Sequence, residues 1–341
     1  MDKKNSYIPA IDGMRALAIL AVIVIHTTTK TLAASNDIPG FTFTFFMNQA
    51  TRFAVPLFFM ISGFVLELNY SFNQNYFTYF KKRLSKIFLP YLFWSLIYFY
   101  LVYPHPLTSF WPFKDALLYG TASYQLYFIP ALLVFYAFFP LFNYCYRFLA
   151  NKWVMIVLGI AQLILLYQTY YVRPLSVPYP FAIALLNYYP FILGMAASHH
   201  QDFLQKMSKW KIIIGILTVM LGVAVFIQGR TLYLKTNNYL YFYTQWRPSV
   251  LLYTIFIAAF LYILFNKLNL NIKIIQTFSK LSFFVFFIHI IILEQFWSFI
   301  GKKIVGGEIF FNLLFFLTVA GISYLVAYSA HKIPLLSKIT G

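Results

Sequence analysis

Apolar stretches about as long as a bilayer is thick recur from one end of this chain to the other. They fall at residues 11–31, 52–70, a run after Lys86 that reaches about 103, then 124–141, 153–171, 181–198, 212–228, 249–265, 281–299 and 308–328. A hydrocarbon core roughly 30 Å thick takes about 20 helical residues to cross. Water does not reach the backbone there, so each segment must close its own hydrogen bonds as a helix or join a sealed barrel. Barrel strands alternate in polarity, whereas these runs are apolar all round. Hydrophobic residues make up 61% of the chain and charged residues only 10%, against about 25% charged in soluble domains. The expectation is an all-α, polytopic integral membrane protein of about ten transmembrane helices, one membrane-embedded domain over residues 1–341. No second domain, low-complexity linker or internal repeat stands out. The single cysteine, Cys145, excludes an intrachain disulfide and a cysteine-held metal cluster.

The formal charge of +18 could suggest nucleic acid, but its distribution reads as topology, with no nucleic-acid partner. Basic residues concentrate in cytoplasmic segments of membrane proteins. With Lys3 and Lys4 inside, ten crossings return Lys332 and Lys338 to the same side, so both termini are expected in the cytoplasm. Sixteen of the 26 Lys and Arg then lie inside and nine outside, Lys302 and Lys303 among the exceptions. A cleaved signal peptide ending near Leu32-Ala33-Ala34-Ser35 is the competing reading of the first span; an arginine at its start and the many later spans speak against it. Residues 32–51 and 104–123 read as polar outer loops, Glu67 as a solvated group at the inner interface, and Pro130 and Pro140 as the break and end of the fourth span.

The first span carries the most costly residues. An ionisable side chain in hydrocarbon costs several kcal/mol, so such groups face a protein interior or a wet cavity. Arg15 and His26 are eleven residues apart, three turns plus about 20°, which puts them on one face roughly 16 Å apart along the axis. Asp12, one turn before Arg15, can orient it. The other intramembrane ionisable groups are His289 and Glu294. Histidine suits proton removal from a hydroxyl near neutral pH, and arginine suits phosphate binding or oxyanion stabilisation. The eight acids form no carboxylate pair within a span. There is no glycine-rich phosphate loop, no pair of histidines at metal-binding spacing within one span, and no nucleophile elbow.

Other clusters carry two readings each. Lys81, Lys82, Arg83 and Lys86 form a positive-inside anchor or an anion site at the cytoplasmic mouth. Ser62 and Gly63 mark a close helix crossing or a polar element of the site. Tyr239, Tyr241, Tyr243, Trp246 and Arg247, in an outer loop, fit an interfacial aromatic belt or a sugar acceptor.

In this order the motifs resemble the acyltransferase family 3 membrane proteins, which modify glycans. The residues that carry the resemblance are Asp12-x-x-Arg15 followed by ten residues and His26, then Phe58-Phe59-x-x-Ser62-Gly63-Phe64. Lys82-Arg83-x-x-Lys86 before Pro90, Tyr127-Phe128-Ile129, Phe191-x-Leu193-Gly194, and Leu281-Ser282 leading to His289 continue it. The last part is most similar to the intercellular adhesion polysaccharide acyltransferase subgroup. The resemblance implies transfer of an acyl group, acetyl by default with succinyl its main competitor, from cytoplasmic acyl-CoA to a hydroxyl of a cell-envelope glycan or lipid-linked sugar. It makes His26 the catalytic histidine and Arg15 its partner. Lys82, Arg83 and Lys86 would meet the donor phosphates, with Asp12, Ser62, His289, Trp246 and Arg247 supporting or on the acceptor side. No cofactor or metal is implied beyond acyl-CoA as co-substrate. Many relatives read Tyr-Ser-Tyr-Gly-Ile-Tyr before the last histidine, where this chain has Phe283, Phe284 and Phe286, so hydroxyls are missing there. Relatives with an added hydrolase-like domain complete the transfer in it. Without one, the membrane domain reaches the acceptor itself or hands the acyl group to a separate extracytoplasmic partner.

Two other classes compete. One is a polysaccharide exporter or flippase without covalent chemistry, which the lack of paired carboxylates and of an ATP motif disfavours. The other is a haem or quinone protein with His26 and His289 as axial ligands, which needs both at one depth; the spans as drawn set them at unequal depths.

Overall fold

A computed structural model describes residues 8–34, 41–70, 75–102, 110–149, 151–236, 243–268, 272–301 and 309–333. Tyr239 and Tyr241 of the aromatic loop, Lys3, Lys4, Ser35, Lys302, Lys303 and Lys338 lie outside them. Among the described residues the regular structure is helical throughout, with no strand. The helices are α1 (Pro9–Leu32), α2 (Phe41–Ala50), α3 (Ala54–Asn69), α4 (Tyr76–Val102), α5 (Phe110–Tyr119), α6 (Phe128–Tyr144), α7 (Tyr146–Leu149), α8 (Lys152–Tyr167), α9 (Tyr179–Leu185), α10 (Tyr188–His199), α11 (Gln201–Lys206), α12 (Lys211–Thr236), α13 (Pro248–Leu268), α14 (Lys273–Phe296) and α15 (Ile309–His331).

Eight helical segments are long and apolar enough to cross a membrane. The α9–α10 pair, bent by 51°, adds a ninth if it is one span, and α6 is a shorter apolar helix of 17 residues. The protein is therefore an all-α, multi-pass membrane protein, and each expected span has a helical counterpart.

The departures from the sequence reading all involve polar or proline residues. Residues 32–51 are not simply a loop: α2 lies there, and after a turn at Thr51–Phe53 the chain continues as α3, so Thr42–Asn69 forms one 28-residue apolar segment. The polar residues that read as loop are buried; Thr44, Asn48 and Gln49 point at protein groups rather than water. The expected loop 104–123 likewise contains α5. It ends at Gly120, whose φ of 69° favours glycine and where a Cβ would lie 2.6 Å from the Tyr127 Cα. Pro130 does not break the fourth span. It occupies the first turn of α6, where its missing N–H is an orphan anyway, and α6 runs on past Pro140. The sixth span is broken instead. Pro190 cannot donate to the Leu186 carbonyl and its ring crowds that turn. The bend is met by side chains: Asn187 Nδ2 donates to Ile183 O at 2.9 Å, and Gln162 Oε1 accepts from the Tyr189 N–H at 3.2 Å.

The helices gather into two compact units, one of residues up to Ile61 with His199–Ser329, the other of Ser62–Ser198 with the residues from Ala330. In the first, α1 packs against α2, α13 and α14, and α12 packs against α2 and α13. In the second, α4 packs against α5 and α6, and α6 against α9. Gly63 has the close approach its size suggested: a Cβ there would sit 2.1 Å from the Phe191 carbonyl oxygen on α10. Glu67 is not a solvated interfacial group. It is only 2% exposed, and the Asn143 amide donates to both its carboxylate oxygens at 2.9 Å.

Candidate active site

The first helix starts with Pro9 in its first turn and Asp12 close behind, both suited to a helix N-terminus. Its last turns hold Thr27, Thr28 and Thr31, whose hydroxyls return to carbonyls of the same helix and so remain compatible with burial. On this helix Arg15 is half-buried and donates to Asp12 Oδ1 at 3.5 Å. Both also meet Ser279 of α14: its hydroxyl donates to Asp12 Oδ1 at 2.7 Å and lies 3.4 Å from Arg15 Nη1.

Three such rungs join α1 and α14. The second is a pair of histidines, His26 and His289, with ring centroids 5.3 Å apart and planes tilted by 38°. The third is an ion pair, Lys30 Nζ to Glu294 Oε2 at 2.6 Å. The residue offset across the three rungs is 264, 263 and 264 (Arg15–Ser279, His26–His289, Lys30–Glu294). A constant offset means that the two helices run parallel and in register, so that neighbours on one helix meet neighbours on the other.

The two histidines differ in exposure. His26 is half-buried and His289 fully buried. His289 Nδ1 lies 3.0 Å from the Val285 carbonyl. A carbonyl only accepts, so Nδ1 carries the proton and Nε2 keeps a lone pair; that Nε2 has no partner among the described residues. Phe286 packs beside the ring at 6.3 Å, and Phe284 and Phe287 are buried in the same helix. The expectation that the histidines sit at unequal depths is corrected, because the parallel register brings them level. No group of three His, Cys, Asp or Glu able to hold a metal occurs among the described residues.

A polar cluster that the sequence reading passed over backs this helix. Asn48 Nδ2 of α2 lies within hydrogen-bond distance of Ile25 O (3.2 Å), Thr28 Oγ1 (2.9 Å) and Thr29 Oγ1 (3.0 Å). It thereby grips the turn that carries His26. Arg52 donates to Asn48 Oδ1 and to the Tyr243 carbonyl. Arg247 is turned inward and fully buried, donating to Gln49 Oε1 at 2.5 Å and reaching Val225 O at 3.3 Å. Trp246, its neighbour, is half-buried, its backbone N–H donating to Thr244 Oγ1 at 3.1 Å. The signal available in the sequence was Asn, Gln and Arg at 48, 49 and 52, one helical turn of polar residues between apolar ones.

The basic cluster lies in the second unit, on α4. Lys82 and Lys86 are exposed, and Arg83 is half-buried with its guanidinium 6.0 Å from the Tyr79 ring centroid. Ser62 is half-buried on α3, beside Gly63 in its tight contact. Asp12, Arg15, His26 and His289 are thus gathered in one unit, while Ser62, Lys82, Arg83 and Lys86 belong to the other.

The profile of the acyltransferase-3 domain matches residues 8–332, nearly the whole chain. The chain belongs to the acyltransferase-3 family. As a member it is a membrane acyltransferase. Its curated relatives include proteins of Staphylococcus aureus strains MRSA252 and Mu50, each named a probable poly-beta-1,6-N-acetyl-D-glucosamine export protein. Each is 23% identical over 308 residues, covering 84% of this chain and 82% of the relative. No solved structure matches it.

Proposed function

We propose that this acyltransferase-3 protein moves an acyl group, acetyl or succinyl, from cytoplasmic acyl-CoA to a hydroxyl of a cell-envelope glycan. A β-1,6-linked N-acetylglucosamine polymer is the acceptor that the names of its relatives suggest. The observation that carries the reading is the half-buried His26 held level with the fully buried His289 on two parallel helices. Of the two residues, His26 is the less buried.

The reaction balances on this residue. His26 takes the proton of the acceptor hydroxyl as the oxygen bonds to the thioester carbonyl carbon. The carbon–sulfur bond then breaks, and the CoA thiolate leaves and recovers the proton. In the second route the His26 imidazole bonds to the thioester carbonyl carbon and the carbon–sulfur bond breaks, releasing the CoA thiolate. The sugar oxygen then bonds to the acyl carbon as the bond to His26 breaks, and its proton goes to the thiolate. His289, through the Nε2 lone pair, accepts a hydrogen bond and steadies a charged His26.

Arg15 is about 16 Å from His26 along the helix, too far to meet the same carbonyl. Its role is with the donor, a distance that an extended pantetheine arm spans. Asp12 and Ser279 fix its guanidinium. Lys82, Arg83 and Lys86 supply charge for the nucleotide phosphates. The donor end is the cytoplasmic one, with both termini on that side. Acyl-CoA acts as co-substrate, and no resident cofactor is needed.

The names of the relatives favour a second reading, export without covalent chemistry. Thiol release from a panel of acyl-CoAs by the purified protein, with and without glycan, separates them. Release that disappears in His26→Ala supports transfer and names the acyl group; no release from any donor with glycan present supports export.

A further inference from the structure

The third rung of the α1–α14 pair has no part in the reaction described so far. Lys30 and Glu294 join at 2.6 Å, yet their side chains are 31% and 43% exposed. They form the end of the pair away from Arg15. Lys30 follows His26 by four residues, so it shares a face with it and lies about 6 Å further along. One pyranose ring bridges that distance.

The chemistry of the pair selects its ligand. The ammonium has three donors and the carboxylate two oxygens. The contact between them uses one donor and one oxygen, and the exposed remainder offers donors and an acceptor side by side. The two charges cancel, so neither an anion nor a cation gains much from binding. A neutral ligand whose adjacent groups donate and accept together, as the hydroxyls of a sugar do, satisfies both halves at once. Trp297 stands one turn beyond Glu294, half-buried against Phe315 at 5.7 Å, where the helix widens into a π-turn over Trp297–Gly301. Such turns are frequent at functional sites. An indole and a charged pair one helical turn apart are a suitable combination for a pyranose, apolar on its face and polar at its edge.

We infer that Lys30 and Glu294 form a carbohydrate subsite that presents the acceptor hydroxyl to His26. The inference rests on the proposed transfer reaction, with the donor entering at the Arg15 end and the acceptor at the opposite one.

The test is direct binding of a β-1,6-linked N-acetylglucosamine oligosaccharide to the purified full-length protein, by calorimetry without donor. Glu294→Gln and Lys30→Met should each weaken binding about tenfold or more. The reversed pair, Lys30→Glu with Glu294→Lys, should regain the melting temperature but not the affinity, since donors and acceptors have changed places. In the unaltered protein the oligosaccharide should slow modification of the Lys30 amine by an acylating reagent. Equal affinity in all variants, no binding by the wild type, or no protection of Lys30 overturns the subsite. Thiol release from acyl-CoA is read separately. Binding that depends on the pair without any thiol release keeps the subsite and rejects the transfer; His26-dependent release with unaltered binding does the reverse.

Discussion

At the scale of single residues, burial separates two histidines that chemistry alone leaves equivalent. His26 is the half-buried one, and its replacement by alanine should cost about 10²- to 10⁴-fold in turnover, the usual worth of a general base. His289→Ala should cost less, about tenfold, by leaving His26 unsupported. Equal losses would instead assign both rings to the reacting groups. Ser279 joins the Asp12 carboxylate to α14 at 2.7 Å. Removing its hydroxyl deletes a hydrogen bond to a charged group, worth about 1.5–3 kcal/mol. Ser279→Ala should therefore lower the melting temperature and raise the Michaelis constant for acyl-CoA; a change in neither would leave the Arg15 end without a function. The stripe of Arg15 and His26 was legible because helical periodicity alone sets it. Its partners were not, since an offset of about 264 residues becomes visible only when two distant spans are seen to run parallel. The level pairing of His26 with His289 belongs to that second kind of information.

At the scale of elements, hydropathy located a helix for each expected span, eight of the described segments being long and apolar enough to cross a membrane, because hydrocarbon demands apolar helices whatever their neighbours. It failed where polar residues are satisfied by protein rather than water. Thr44, Asn48 and Gln49 made α2 read as a loop, and Glu67 read as interfacial although Asn143 neutralises the need for solvent. The bend at Asn187 needed knowledge of Gln162 as well as Pro190, because an unsupported break would leave a backbone N–H unpaired in the membrane. Gly63 gives the element-scale prediction. A methyl group cannot occupy the 2.1 Å gap to the Phe191 carbonyl, so Gly63→Ala must push α3 from α10. The overpacking should cost about 1–3 kcal/mol, read as a lower melting temperature in detergent. An unchanged transition would show that the crossing is looser than described.

At the scale of the whole molecule, the family assignment covers residues 8–332 and so spans residues of both units. Arg15 and His26 belong to one unit and the α4 cations to the other. If Lys82 and Arg83 meet the donor phosphates, replacing both with alanine should raise the Michaelis constant for acyl-CoA about tenfold, with turnover changed far less. The effect should shrink with added salt. An unchanged donor dependence would return the cluster to a topology signal. The most direct measurement is the mass of a β-1,6-linked N-acetylglucosamine oligosaccharide incubated with acyl-CoA and the reconstituted protein, wild type beside His26→Ala. The account predicts a product heavier by one acyl group with the wild type and none with the variant, at equal expression and melting temperature. Acylated product at the same rate from His26→Ala would contradict it.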